Sequence, residues 1–139
     1  MYQKILAFFL VAAPLAAATT PNNYANQQQP TLNVVESEQV KAWYDQNKPI
    51  VVVDARSKEL FTGTTLPNAK WVPFNATDAE IQAALPSKSA IVVTYCCGET
   101  CPASSRLAQR LQNMGYKTVY HYEDGLRDWM KKGYPLDNR

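Results

Sequence analysis

The sequence predicts one α/β domain built around a mostly parallel β-sheet that is flanked by helices. Two apolar runs rich in β-branched residues, 50–53 and 91–93, have the continuous hydrophobicity typical of buried parallel strands. Stretches with helical periodicity separate the strand-like runs, and such alternation favours βαβ units over an all-β or all-α fold. The 139 residues suffice for one domain with a substantial core.

The N-terminus is predicted to be a secretory signal peptide covering residues 1–18. Lys4 precedes an apolar run over residues 5–15, and the small residues 16–18 form a possible cleavage site after Ala18. The run is short for a membrane span, although an uncleaved anchor is the alternative. Residues 19–30 (TTPNNYANQQQP) are polar and predict a flexible linker, which leaves residues 31–139 for the domain. We therefore expect a periplasmic or secreted protein with no stable membrane insertion after cleavage.

The charge of the chain argues against nucleic-acid binding. The formal net charge is +2, and the sequence has no basic stripe that could neutralise phosphates. Removal of the signal peptide takes away Lys4 and leaves the mature chain near neutrality. Small molecules or proteins are therefore the expected partners.

The first half of the domain is predicted to alternate short strands with modest helices. Ser37 is the expected N-cap of a helix that ends before Pro49, and Thr77 or Asp78 is the expected cap of a helix that ends before Pro86. The predicted elements are an edge strand at 32–35, a helix from 37, a central strand at 50–53, a short helix near 57–61, a loop at 63–68, a short strand at 71–74 and a helix at 78–85.

The second half repeats this alternation. We predict a strand over 91–96, a helix over 103–114 that stops at Gly115, a strand over 117–122 and a helix over 126–132 closed by Gly133. Sites in parallel sheets form beyond the carboxyl ends of the strands. Asp54, Cys96 and Tyr122 should therefore meet at one rim.

All three cysteines lie in one turn, at positions 96, 97 and 101, between a predicted strand and a helix that begins near Pro102. Backbone N–H groups and the positive end of a helix dipole favour thiolate over thiol at such a position. In an oxidising compartment three cysteines cannot all pair within the chain. We interpret this turn as the active site.

From about residue 32 to the C-terminus, the chain resembles a single-domain rhodanese, a sulfurtransferase module. Four segments in order carry the resemblance: VVVDAR at 51–56, GTTLPNAKWV at 63–72, the strand at 91–96 with its helix and the later Gly115-Tyr116 pair, and VYHYEDGLRDWMKKGYP at 119–135. The departures are Thr64 and Asn68 for the usual His and second Gly of the Gly-His-Ile-Pro-Gly-Ala segment, and Asp124 for the first Gly of the closing motif.

The resemblance implies a rhodanese-like three-layer domain that moves sulfane sulfur through a persulfide on Cys96. It also implies that Asp54 and Arg56 support the rim beside the loop. We expect no cofactor and no metal. The donor would be thiosulfate, polysulfide or a persulfide, including a protein persulfide, and the acceptor a thiol or a cyanide-like nucleophile. The expected substrate cradle consists of Cys97, Gly98, Glu99, Thr100, Pro102 and Ala103.

The loop departs from the family in length and in charge. It is longer than the common six-residue cradle, it carries Glu99, and it contains no Arg or Lys. An acidic loop should repel the thiosulfate dianion, which favours polysulfide or a persulfide as donor. Arg106 could offset that charge, but its place in the helix predicts a solvent-facing side chain.

Several assignments stay open from the sequence. Cys101 could accept sulfur from Cys96, close a disulfide with it, or be the nucleophile itself, and Cys97 is interpreted as a loop or packing residue. His121 is interpreted as a strand residue rather than a base. The functional alternatives are a thiol–disulfide redox protein using Cys96 and Cys101 and a non-catalytic binding module, for instance for a soft metal ion.

The spacing excludes one related chemistry. Phosphatases and arsenate reductases on similar scaffolds need an Arg six positions after the nucleophilic Cys. Counting from Cys96 gives Pro102, and counting from Cys101 gives Leu107. Neither residue can bind an oxyanion through its side chain.

Overall fold

The computed structural model describes residues 31–139, so the predicted signal peptide (1–18) and linker (19–30) lie outside the described residues. The described part alternates strands with helices, as the sequence predicts. In chain order the elements are β1 (Asn33–Val35), α1 (Ser37–Asp45), β2 (Ile50–Asp54), β3 (Thr64–Thr65), β4 (Lys70–Trp71), α2 (Asp78–Ala84), β5 (Ile91–Tyr95), α3 (Ala103–Asn113), β6 (Thr118–Tyr122), α4 (Gly125–Lys131) and β7 (Asp137–Asn138).

A five-stranded sheet in the order β1-β6-β5-β2-β4 forms the centre of the domain, and all of its strand pairs are parallel. Its three central strands end in register, because Asp54 pairs with Tyr95 and Tyr95 pairs with Tyr122. The predicted α/β fold with a central parallel sheet is therefore confirmed. The segments that follow these three strands all begin at the same edge.

Alternate residues of the central strands point to opposite faces of the sheet and build two cores. Val53 and Val92 pack in the core that contains α2 and α3, whereas Val52 and Val93 pack in the core that contains α1 and α4. The largest fully buried side chain, Trp129, belongs to the second core. The fold thus has three layers, with the sheet buried on both faces, as continuous apolar strands require.

Some local predictions were wrong. Residues 57–61 form a hydrogen-bonded turn instead of a helix, and the Leu60 carbonyl accepts a bond from Arg56 Nη1 at 3.4 Å. Strand β4 covers Lys70–Trp71 rather than 71–74, since Pro73 has no N–H for the ladder. Part of the loop predicted at 63–68 is strand β3, which pairs with β7 in a small antiparallel sheet.

The two predicted helix caps have different outcomes. Thr77, one of the two residues predicted as the cap, caps α2 through a complete capping box with Glu80. Glu36, not Ser37, is the N-cap of α1. Ser37 is the first helical residue, and its hydroxyl bonds Tyr122 Oη at 2.7 Å, a tertiary contact with the end of β6.

Among residues 31–139, no helix has the length and apolar character that crossing a membrane requires.

A buried ion pair between Asp54 and Arg56 fixes the end of β2. The Arg56 side chain donates from Nη2 to Asp54 Oδ2 at 2.6 Å and from Nε to Oδ1 at 2.9 Å. Tyr95 donates its hydroxyl proton to Asp54 Oδ2 at 3.0 Å, which ties β5 to the same carboxylate. Arg56 Nη2 also donates to the Thr64 carbonyl at 2.7 Å, so the pair holds the following loop against the sheet.

Removing one partner of this pair should destabilise the fold strongly. Asp54→Asn leaves the buried guanidinium of Arg56 without its counter-charge, and we expect the free energy of unfolding to fall by about 3 kcal/mol. Asp45→Asn is the control, because the Asp45–Lys41 pair is exposed and should contribute less than about 1 kcal/mol. Urea unfolding curves of the two variants measure the difference, and equal midpoints would contradict the structural role given to Asp54.

Candidate active site

Cys96 follows the last residue of β5 and is completely buried, at 0% exposure. Its Sγ lies 3.1 Å from the Cys101 carbonyl oxygen and 3.8 Å from the Gly98 carbonyl oxygen, so the thiol proton points into the loop. The Ser104 hydroxyl, in the first turn of α3, lies 3.4 Å from the same sulfur atom. The loop therefore wraps around the Cys96 sulfur and separates it from solvent.

The N-terminus of α4 holds the backbone of the loop in place. Its amides donate from Leu126 to the Cys96 carbonyl at 2.9 Å and from Arg127 to the Cys97 carbonyl at 3.0 Å. These two N–H groups would otherwise lack partners at a helix start. Because two loop carbonyls are tied to α4, the conformation of the loop depends on the exact packing of this helix end.

Gly125 makes that packing possible. Its φ is +66°, and a Cβ at this position would lie 2.5 Å from the Cys96 carbonyl oxygen and 2.8 Å from the Gly98 amide nitrogen. Both contacts are with backbone, so neither can be relieved by moving a flexible side chain. Gly125 is thus required both by its conformation and by the close approach of α4 to the loop.

The three thiols have different acidities. Burial and the hydrogen bond with Cys101 raise the pKa of Cys96, against the opposing hydrogen bonds of Ser104 and the backbone at Gly98. Burial also opposes ionisation of Cys101, but its hydrogen bonds with Cys96 and with the backbone at Ala103 hold the Cys101 pKa below the ordinary thiol value. Burial and the nearby thiol Cys101 raise the pKa of Cys97. Cys101 is therefore the most acidic of the three thiols.

Two cavities lie on the outer side of the loop. One, of about 350 Å³, is lined by Cys97 together with Arg56, Arg127 and the apolar side chains of Leu126 and Met130, among others. The other, of about 240 Å³, is lined by residues 98–100, by Asp124 and by residues of α4 that include Arg127. Arg127 therefore contributes positive charge to both cavities.

The structure brings most of the predicted cradle together but gives its members different positions. Gly98 is buried under α4, whereas Glu99 and Thr100 are exposed at the rim of the smaller cavity. Pro102 is the exposed N-cap of α3, and Ala103 packs into the core rather than facing a cavity. Neither cavity is lined by Cys96 or Cys101.

Four residues that contribute to the site were not predicted from the sequence. Ser104 contacts the Cys96 sulfur, Gly125 admits the helix, and Arg127 and Lys131 supply the cations that the loop itself lacks. Arg106 is exposed, as predicted. The sequence held one indication of the role of Arg127. It lies in the first turn of a helix that follows a central strand, and such a turn begins at the same edge of the sheet as the cysteine loop.

The described residues contain no cluster of three or more His, Cys, Asp or Glu side chains that could hold a metal ion.

One family model matches most of the described chain. A family model described as "Rhodanese-like domain" matches residues 36–132. A search of curated proteins gave no match. Among solved structures, the protein BH2092 from Bacillus halodurans aligns with a TM-score of 0.69 and 22% identity, over 76% of this chain and 77% of that one.

Two further solved structures share the fold. A rhodanese-like domain protein from Staphylococcus aureus aligns with a TM-score of 0.61 and 24% identity, over 78% of this chain and 99% of that one. A thiosulfate sulfurtransferase from Pseudomonas aeruginosa aligns with a TM-score of 0.61 and 19% identity, over 77% of this chain but only 20% of that one. At these identities the likeness concerns the fold.

Gly125→Ala should disturb the cysteine loop far more than Gly133→Ala. Both glycines have a positive φ, +66° and +68°, but only Gly125 has backbone atoms where the new Cβ would lie. The shared strain costs about 1–2 kcal/mol, and the clash adds to it at Gly125. Thermal unfolding and thiol labelling with a maleimide should show a larger loss of stability and faster labelling of Cys96 in Gly125→Ala only. Equal behaviour of the two variants would contradict the proposed packing.

Proposed function

The chain belongs to the rhodanese-like domain family, and on this basis we propose that it is a sulfurtransferase that carries sulfane sulfur as a persulfide on Cys96. The observation that carries the proposal is the position of the Cys96 sulfur. It lies at the carboxyl end of a central strand and beside the first turn of α3, with the Ser104 hydroxyl 3.4 Å away. The hydroxyl and the positive end of the helix can stabilise negative charge on a thiolate and on the persulfide derived from it.

The proposed reaction has two steps that balance without a cofactor. The Cys96 thiolate attacks the outer sulfur of the donor, a new S–S bond forms, and the donor leaves with the electron pair, as sulfite from thiosulfate or as a thiolate from a persulfide. An acceptor thiolate or cyanide then attacks the outer sulfur of the Cys96 persulfide. The acceptor leaves with the sulfur, and Cys96 returns as thiolate.

We propose that Cys101 is the second thiol of this reaction. Cys96 is buried, whereas Cys101 is partly exposed and more acidic, so an incoming donor meets the Cys101 sulfur more readily. Attack of the Cys96 thiolate on the outer sulfur of a Cys101 persulfide transfers the sulfur inward and releases the Cys101 thiolate. This route brings sulfur to a buried sulfur atom without a wide opening of the loop.

The charges around the cavities bear on the sulfur donor. The smaller cavity is lined by two cationic side chains, Arg127 and Lys131, and by three acidic ones, Glu99, Asp124 and Asp128. The larger cavity is lined by the cationic side chains of Arg56 and Arg127. A dianion such as thiosulfate is therefore disfavoured beside Glu99 and favoured beside Arg127. We propose as preferred donors a persulfide, whose sulfane sulfur carries at most one charge, or a polysulfide, whose two charges are spread over a longer chain than in thiosulfate.

A thiol–disulfide redox protein is the second candidate function. The observation that favours it is the closeness of the two cysteines, since Cys96 Sγ lies 3.1 Å from the Cys101 carbonyl oxygen. In that case oxidation joins the two sulfurs with loss of two protons and two electrons to an external oxidant, and no sulfur is carried. A non-catalytic rhodanese-like module would neither transfer sulfur nor form this disulfide.

The place of action follows only from the predicted signal peptide. We propose that the mature domain acts in the periplasm or outside the cell, where a free acidic thiol such as Cys101 would be exposed to oxidants.

Intact-mass measurements distinguish these functions. After incubation with polysulfide, the protein should gain the mass of whole sulfur atoms and lose it again on addition of cyanide. Cys96→Ser should confine any added sulfur to Cys101 and lose the catalytic turnover of sulfur to cyanide, while Cys97→Ser, the matched control, should retain that turnover. A Cys96→Ser protein that still turns over sulfur, together with an inactive Cys101→Ser protein, would show that Cys101 is the nucleophile. A loss of two protons without added sulfur would favour the redox function.

The donor preference should respond to two exposed charges in opposite directions. Arg127→Gln should raise the KM for thiosulfate and Glu99→Gln should lower it, each by up to about fivefold at low ionic strength, as expected for exposed charges. Both effects should shrink with added salt. Arg106→Gln is the control, because Arg106 is an exposed cation that lines neither cavity. Equal KM changes in Arg106→Gln and Arg127→Gln would mean that only the net charge matters.

A further inference from the structure

A chain of three buried polar groups begins at the candidate nucleophile. The Ser104 Oγ lies 3.4 Å from Cys96 Sγ and 2.9 Å from Nε2 of His121. Ser104 is 1% exposed and His121 is 7% exposed. Three elements supply the three groups, since Cys96 follows β5, Ser104 begins α3 and His121 lies in β6. Their alignment is therefore a product of the tertiary fold.

We propose that Ser104 and His121 form a proton relay that takes the proton from the Cys96 thiol when this sulfur attacks. Ser104 touches the reacting sulfur and is a catalytic residue in this scheme, and His121 acts through Ser104 as a positioning residue and proton acceptor. The sulfur-transfer step that the relay serves rests on the function proposed above. The relay itself concerns only the removal of the proton from the Cys96 thiol, so it can be tested without any sulfur donor.

The proton movements balance within the three groups. In the resting state of this scheme the Cys96 thiol lies between the Cys101 carbonyl and Ser104 Oγ, and can turn its proton from one to the other. The scheme assigns the proton of the 2.9 Å contact to Ser104, which then donates to an unprotonated Nε2 of His121. On attack, the thiol proton passes to Ser104 Oγ while the Ser104 proton passes to His121 Nε2. The thiolate then accepts a hydrogen bond from Ser104, and Ser104 accepts one from the imidazolium. One proton has moved from sulfur to nitrogen.

Burial explains why this thiol needs a base. It raises the pKa of the Cys96 thiol, so a free thiolate at this position is scarce at neutral pH. Burial also lowers the pKa of His121, with Glu123 as the charged group that opposes this shift. The imidazole is therefore neutral at pH 7 and able to accept a proton. A base that removes the proton while the new bond forms avoids a long-lived unpaired charge in the interior.

Neighbouring Ser105 provides a matched control. It is also a serine in the first turn of α3, but its Oγ bonds the Pro102 carbonyl at 3.0 Å instead of the Cys96 sulfur. At position 121, glutamine can keep an amide hydrogen bond to Ser104 but cannot accept a proton at neutral pH. Ser104→Ala and His121→Gln thus remove different parts of the relay, and Ser105→Ala removes neither.

The first experiment measures the rate of Cys96 alkylation by iodoacetamide from pH 5.5 to 10, in the full chain with Cys97→Ser and Cys101→Ser in every arm. Dividing each rate by its value at pH 10 removes differences in access to the buried sulfur. We expect Ser104→Ala and His121→Gln to lower the normalised rate at pH 7 by about tenfold, with Ser105→Ala unchanged. Normalised profiles of Ser104→Ala or His121→Gln that match the parent would overturn the relay.

The second experiment needs no substitution, because His121 is the only histidine of the chain. Nitrogen-15 chemical shifts of its ring at pH 7.5 report which nitrogen carries the proton. The relay requires a neutral ring protonated on Nδ1, with Nε2 free to accept from Ser104. A ring protonated on Nε2 would overturn the proposal. Neither experiment involves sulfur transfer, so a failed sulfurtransferase assay and a failed relay are separate results.

Discussion

The parallel register of the three central strands is the constraint on which the site depends. Because Asp54, Tyr95 and Tyr122 lie side by side, the three segments that follow these strands leave the sheet at one edge. The Asp54–Arg56 pair, the cysteine loop and the start of α4 are thereby brought into contact. A slip of one residue in any of these strands would exchange the two faces of the strand and separate these groups.

Two helix starts then enclose the Cys96 sulfur. Helix α3 supplies Ser104 to the sulfur, and α4 binds the carbonyls of the loop that covers it. The consequence is a thiol that is well surrounded by polar groups yet shielded from water, with a raised pKa. Burial shields this sulfur from oxidants in solution. The sulfur transfer that we propose requires a means to bring in sulfur and a means to remove a proton, and we propose that Cys101 and the Ser104–His121 pair supply them.

The fold and the position of the cysteine loop could be predicted because both depend on local patterns. Continuous β-branched runs predict central strands, and Thr77, one of the two predicted caps, precedes α2. The local predictions were wrong where tertiary contacts outweigh local preference. Ser37 bonds Tyr122, a residue of the last strand of the central sheet, instead of capping its helix. Residues 57–61 form a turn whose Leu60 carbonyl is bound by Arg56, and the burial of Arg56 against Asp54 is a property of the folded domain.

What the sequence by itself determined is the α/β architecture, the rim at the strand ends and the concentration of thiols in one turn. These follow from hydrophobic periodicity and from residue types that are adjacent in the chain. Only the tertiary structure decided that Cys96 is buried while Cys101 is partly exposed, that Arg127 supplies a cation beside an acidic loop, and that His121 reaches the sulfur through Ser104. Burial, electrostatic environment and hydrogen bonding across elements arise when residues distant in sequence meet, so no local pattern encodes them.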